Sequence, residues 1–165
     1  MKDNIVLIGM PSCGKSTIGV VLAKSFGYRF VDSDLVIQEQ TGLLLSEIID
    51  SVGLDGFNKI ENDVNASLDC HKSIIATGGS VIYGKDAMEH LKSIGTVVYL
   101  ELPLDELIVR IGDLTQRGVS IKVGQTFQDL YEERRPLYEK YADITIHCNH
   151  LSIREIVSVL KKSLS

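Results

Sequence analysis

Between Gly9 and Ser16 the chain reads Gly-Met-Pro-Ser-Cys-Gly-Lys-Ser, which fits the phosphate-loop spacing G-x-x-x-x-G-K-[ST]. The residue types carry the chemistry. Glycine lets the backbone curl so that successive N–H groups converge on phosphate oxygens, and the helix that must follow adds the positive end of its dipole. Lys15 supplies a point charge for the β and γ phosphates, and the Ser16 hydroxyl reaches Mg²⁺. Gly9, Ser12, Cys13, Gly14, Lys15, Ser16 and Thr17 are therefore the candidate nucleotide-binding residues. Cys13 has two readings: a thiol made reactive by a helix N-terminus, or a small residue that fills space.

Such a loop works only where a buried strand runs into it and a helix leaves it. Ile5–Ile8 is a short apolar run ending in glycine, as a buried parallel strand does, and Lys15–Phe26 has helical spacing with Ile18, Val21, Leu22 and Phe26 on one side. The alternation continues along the chain. Strands are predicted at Arg29–Val31, Ser73–Ala76, Thr96–Leu100 and Ile144–His147. Helices are predicted at Leu35–Gln40, at Ser46–Ser51 with Ser46 as cap, and onward from Gly56 with Phe57, Ile60, Val64 and Leu68 in step. Further helices are predicted near Lys85–Lys92, Asp105–Ile111, Phe127–Tyr141 and Ile153–Leu164. Gly112–Gly124 has no apolar period and reads as a mobile surface loop. Five apolar strands separated by helices imply an α/β fold, a three-layer sandwich with a five-stranded parallel sheet covered on both faces, in one domain over 1–165.

The phosphate loop is followed by Phe30-Val31-Asp32-Ser33-Asp34, by Gly56-Phe57-Asn58-Lys59-Ile60-Glu61, by Ala76-Thr77-Gly78-Gly79 and by Arg134-Arg135-Pro136-Leu137-Tyr138. In this order and spacing the chain resembles the shikimate kinase family over about residues 4–160. The resemblance implies a P-loop small-molecule kinase that uses ATP and Mg²⁺ to phosphorylate the 3-hydroxyl of shikimate. It implies that Asp32 helps Ser16 hold Mg²⁺, and that Asp34 binds the substrate hydroxyls and is the candidate base. By the same carry-over Gly78 and Gly79 present backbone N–H groups to the substrate, Arg134 binds its carboxylate and Glu61 orients the substrate-side arginine. Arg110 lies against adenine, and Arg117, from a lid over 112–124, closes on the phosphates. Lys15, Asp34 and Arg117 are thus the expected catalytic residues.

Physical chemistry agrees with these roles. Phosphoryl transfer is mostly positioning and charge neutralisation. Asp32 and Asp34 alternate at a strand end, so both face one way, toward the carboxyl edge where open α/β sheets bind ligands. The competing reading is that they cap the helix opening at Leu35. Three departures concern the resemblance. Asn58 stands where the family has an arginine that shares the substrate carboxylate, so Asn58 is a weakened substrate-binding position. Ser80 replaces a third glycine, and either crowds the bound ring or adds a hydroxyl contact. The proline of the family lid is missing after Arg117. Two of the three lie on the acceptor side, which leaves two alternatives open: a related kinase of another small hydroxy acid or polyol, and a nucleotide-binding regulatory pseudoenzyme.

Composition bounds the partners. With 17 Lys plus Arg against 22 Asp plus Glu, a net charge of −5 opposes general nucleic-acid binding. Three cysteines form no CxxC and suit a reducing compartment. No apolar run approaches the length of a membrane span. The expectation is a cytoplasmic monomer with a small-molecule substrate and neither nucleic-acid nor membrane partners. His147, Cys148 and His150 straddle a strand end where side chains diverge, and are read as packing near the base, not as a metal site.

Overall fold

The structure, a computed structural model, describes residues 2–112 and 121–164. Five strands form the sheet: β1 (Asn4–Ile8), β2 (Arg29–Asp32), β3 (Ser73–Ala76), β4 (Gly95–Glu101) and β5 (Ile144–His147). Their order is β2-β3-β1-β4-β5, and every neighbouring pair is parallel. The α/β sandwich expected from the strand pattern is therefore the fold. β1 is buried along its whole length, as a central parallel strand must be. Asn4 is its one polar member. Its amide donates to Cys70 O (2.8 Å) and Ile94 O (2.9 Å), and its Oδ1 accepts from the Ser73 N–H (3.0 Å), which ties the starts of three adjacent strands together.

Helices α1 (Lys15–Phe26) and α7 (Ile153–Leu164) pack together on one face. On the other lie α2 (Ser33–Thr41), α3 (Leu45–Ala66), α4 (Lys85–Ile94), α5 (Leu104–Ile111) and α6 (Phe127–Tyr141), with α3 against α4, as right-handed crossovers require. α1 buries Ile18, Leu22 and Ala23; Val21, expected on that side, is 38% exposed. Among the described residues no helix is long and apolar enough to cross a membrane.

Between α2 and β3 the two helical segments expected at Ser46–Ser51 and from Gly56 are both present: the α3 span breaks at Gly53, whose backbone is non-helical (φ 75°, ψ 178°). One expectation there is corrected. The cap is Leu44, not Ser46: Glu47 Oε1 accepts from the Leu44 N–H at 2.9 Å. The α2–α3 pair also has an apolar cluster of its own, Ile37, Ile48, Phe57 and Val64, separate from the core around the sheet. Residues 113–120 of the anticipated lid, Arg117 among them, lie outside the described residues.

Register positions the site. Leu7 is level with Ala76 and Val98, and Ala76 with Asp32. The chain therefore leaves β1, β2 and β3 at one edge of the sheet, delivering Gly9, Asp34 and Gly78 side by side.

Candidate active site

The loop after β1 has the backbone that its glycines predict. Gly9 (φ 153°), Ser12 (φ 69°) and Gly14 (φ 98°) all have positive φ. A Cβ on Gly9 would sit 2.9 Å from Leu100 O and 2.9 Å from Cys13 Sγ. Lys15, 9% exposed, folds back over the loop and donates to Gly9 O (2.7 Å) and Met10 O (3.0 Å). Its ammonium is thus fixed beside the N-terminus of α1, where both favour an anion.

Asp32 caps the helix, as the competing reading had it, and also faces the phosphate loop. Its Oδ1 caps α2, accepting from the N–H groups of Asp34 (3.0 Å) and Leu35 (3.4 Å). Its Oδ2 accepts from the Ser16 hydroxyl at 3.2 Å. One hydroxyl and one carboxylate oxygen, adjacent at the end of the phosphate loop, are hard donors that fit Mg²⁺, an ion that takes few protein ligands and completes its shell with phosphate and water.

This loop opens onto a cleft of about 410 Å³, which it lines through Ser12, Lys15 and Ser16 together with Asp34, Phe57, Glu61, Gly78, Gly79, Ser80 and Arg134. Part of its wall, around Gly78, is crowded with carboxylates. A Cβ on Gly78 would lie 2.6 Å from Asp34 Oδ1 and 2.7 Å from Glu61 Oε2, so both oxygens converge on that glycine. Among the described residues neither oxygen has a hydrogen-bond partner, although both are buried. Burial pushes Asp34 up to about 6, with Asp32 adding to the rise and Lys15 opposing it. Burial likewise pushes Glu61 up to about 7, opposed by the Ser80 hydrogen bond and by Arg134, and reinforced by Asp34. The Ser80 hydroxyl donates to Glu61 Oε1 at 2.6 Å, so Ser80 belongs to the wall of the site instead of crowding its centre.

Arg134 is the cation of this wall. The run of charges on α6 is solvated at Glu132, Glu133 and Arg135, but Arg134 is only 1% exposed. Its Nη1 would lie 2.9 Å from a Cβ on Gly79, and the Tyr138 hydroxyl donates to Gly79 O at 2.5 Å. Asn58 is a partial correction. Phe57 and Glu61 line the cleft and Asn58 does not; its Oδ1 is buried without a partner. Adjacent helical residues point about 100° apart, so Phe57 and Asn58 cannot share a direction.

Beside the phosphate loop a second, narrower slot of about 180 Å³ is lined by Cys13, Thr17, Ile18, Arg110, Cys148 and Ile156. Its apolar walls suit a flat base next to the phosphates. Arg110 lines both spaces, and its Nε is 3.0 Å from Glu106 Oε1. Cys13 is 1% exposed, which favours the space-filling reading, and burial pushes the Cys148 thiol up to about 12.

Apart from Asn58, the expected site residues that are described therefore gather at one sheet edge, around two adjoining spaces. Sequence reasoning passed over Tyr83 and Tyr138. Tyr138 was legible as the residue one helical turn beyond Arg134. Tyr83 gave no signal, because its place depends on a short 3₁₀ turn (Val81–Tyr83) folding back onto α6.

The shikimate kinase family pattern matches residues 11–165. The chain belongs to the shikimate kinase family. It is 37% identical to a shikimate kinase of Vibrio parahaemolyticus, over 99% of this chain and 96% of the relative. Among solved structures, the shikimate kinase of Acinetobacter baumannii in complex with shikimate superposes with a TM-score of 0.83 at 29% identity, covering 99% of this chain and 93% of that one. The shikimate kinase of Aquifex aeolicus gives 0.82 at 31%, covering 98% and 95%. As a member of this family the chain is an ATP-using phosphotransferase with an alcohol group as acceptor. Neither the other-acceptor reading nor the pseudoenzyme reading is favoured by these matches.

Proposed function

We propose that this protein transfers the γ-phosphate of ATP to the 3-hydroxyl of shikimate. The observation that carries the reading is that Lys15, Asp34 and the buried Arg134 line one cleft, so that a phosphate charge, a hydroxyl proton and a carboxylate each meet a matching group. Arg134 offers a guanidinium fork to the acceptor's carboxylate. Asp34 accepts the hydroxyl proton as the acceptor oxygen bonds to the γ-phosphorus, while the β–γ bridging oxygen leaves with the bond's electron pair. Lys15 and the α1 N-terminus offset charge on the phosphates. Ser16 and Asp32 are the residues that would hold Mg²⁺, which when bound neutralises charge on the β and γ oxygens. The narrower slot, with Arg110, takes the base. The family resemblance assigns Arg117, which lies outside the described residues, to the phosphates. The same reading treats the chain as a single domain and a cytoplasmic monomer without a nucleic-acid partner. The net charge of −5 supports the absence of a nucleic-acid partner, and the three free cysteines suit a reducing compartment.

The test is ADP release measured with shikimate, with gluconate and with no acceptor. Turnover should depend on shikimate, and Asp34→Asn should lower kcat by about 10²- to 10⁴-fold. Nucleotide binding with no acceptor-dependent turnover, or a preference for gluconate, would overturn the assignment.

A further inference from the structure

Arg134 is a buried cation at the end of a long, flexible stem. To present its fork to a ligand it must be held from behind, because each free rotamer lost on binding weakens binding. Two tyrosines, Tyr83 and Tyr138, hydrogen-bond the Arg134 side chain, and Tyr83 is the one that engages its Nε. The Tyr83 hydroxyl accepts from Arg134 Nε at 3.3 Å, and the guanidinium carbon lies 5.4 Å from the Tyr83 ring centroid, over its face. The same hydroxyl donates its only hydrogen to Glu133 Oε2 at 2.6 Å. That direction is forced: a phenol has one hydrogen to give, and giving it to the carboxylate leaves a lone pair for the Nε–H. Glu133 is itself held, accepting from Gln125 Nε2 at 3.3 Å and lying 3.8 Å from Lys122 Nζ. With Nε engaged by Tyr83, the terminal nitrogens are directed at Gly79 and the cleft, where Nη1 is found.

We infer that Tyr83 is a specificity-determining positioning residue, which aims the Arg134 guanidinium at the carboxylate of the acceptor. The inference rests on the reading that Arg134 binds that carboxylate. Tyr83 is not among the residues that line the cleft with Lys15 and Asp34 and is bonded to Arg134 and Glu133, so it acts on acceptor recognition through Arg134. Asn58 brings no second positive charge to this wall, which makes the aim of Arg134 matter more.

Steady-state kinetics of the full chain test it, with shikimate and its methyl ester, which lacks the charge. Tyr83→Phe keeps the ring and removes the hydroxyl; Tyr83→Leu removes both. Tyr83→Phe should raise KM for shikimate about three- to tenfold, and Tyr83→Leu further, with KM for ATP and kcat within twofold of the parent. For the ester, kcat/KM should change less than twofold in either variant. A shikimate KM unchanged in Tyr83→Phe, or an equal loss on acid and ester, overturns the inference. Arg134→Lys separates it from the reading beneath: an unchanged shikimate KM there sinks the Arg134 assignment as well, whereas a raised KM beside a neutral Tyr83→Phe sinks Tyr83 alone.

Discussion

Glu61 has one oxygen bonded to Ser80 at 2.6 Å and the other buried with no partner. The folded protein keeps its proton up to about 7, whereas an exposed glutamate releases it near 4.5. Between those values the folded state binds more protons than the unfolded chain. The favourable contribution is therefore whole below about 4.5, and is lost as pH rises through about 7. At full ionisation the loss is about 3 kcal/mol, as an order of magnitude. Glu61→Gln abolishes this titration and still offers Ser80 an oxygen. Between pH 5 and pH 8, thermal unfolding of the parent should fall by several degrees more than that of the variant, at roughly 2–4 °C per kcal/mol. Equal falls would mean that the burial of Glu61 is not felt as charge.

At the scale of the element, the turn after β3 is shaped by what surrounds it. Gly78 and Gly79 meet Asp34, Glu61, Arg134 and Pro11 at 2.6–2.9 Å from where a Cβ would stand. The obstacle at Gly78 is not φ but the two carboxylate oxygens. Gly78→Ala should force Asp34 and Glu61 aside and lower kcat about tenfold or more with shikimate, leaving KM for ATP unchanged. Gly42 is the contrasting case. It ends α2 at φ 71° with nothing within 4 Å of a built Cβ, so Gly42→Ala should cost about 1–2 kcal/mol of stability and leave kcat alone. If both substitutions act on stability only, crowding at Gly78 has no part in the chemistry.

At the scale of the molecule, nucleotide and acceptor spaces are supported differently. The phosphate loop leaves β1, a strand buried along its whole length, and sits on the main core. The α2–α3 wall of the acceptor space stands on its own small cluster, Ile37, Ile48, Phe57 and Val64. A nonhydrolysable ATP analogue with Mg²⁺ at about 100 times its Kd should therefore stabilise the whole chain by about 2.7 kcal/mol, or roughly 5–10 °C in Tm. Lys15→Ala should abolish that shift; an undiminished shift would place the nucleotide elsewhere.

Much of this was written locally. The G-x-x-x-x-G-K-S spacing and the apolar runs between helices determine their own backbone, because glycine freedom and strand burial act over a few residues. The strands and the phosphate loop were legible for that reason. Asp34, expected to alternate with Asp32 along the strand, instead lies in the first turn of α2, because β2 ends at Asp32 and Asp32 caps the helix. Boundaries were less so: Ser46 looked like a cap, but Leu44 takes that place, since Glu47 reaches back to its N–H. Only the tertiary structure decided that Ser80 would hold Glu61, that Arg134 would be buried while its helical neighbours are solvated, and that Tyr83 would stand behind it. Those pairings join residues 19 and 51 positions apart, and no local preference records them. They arise when the parallel register brings three strand ends to one edge and leaves buried polar groups whose unmet hydrogen bonds must be satisfied by whatever the fold places opposite.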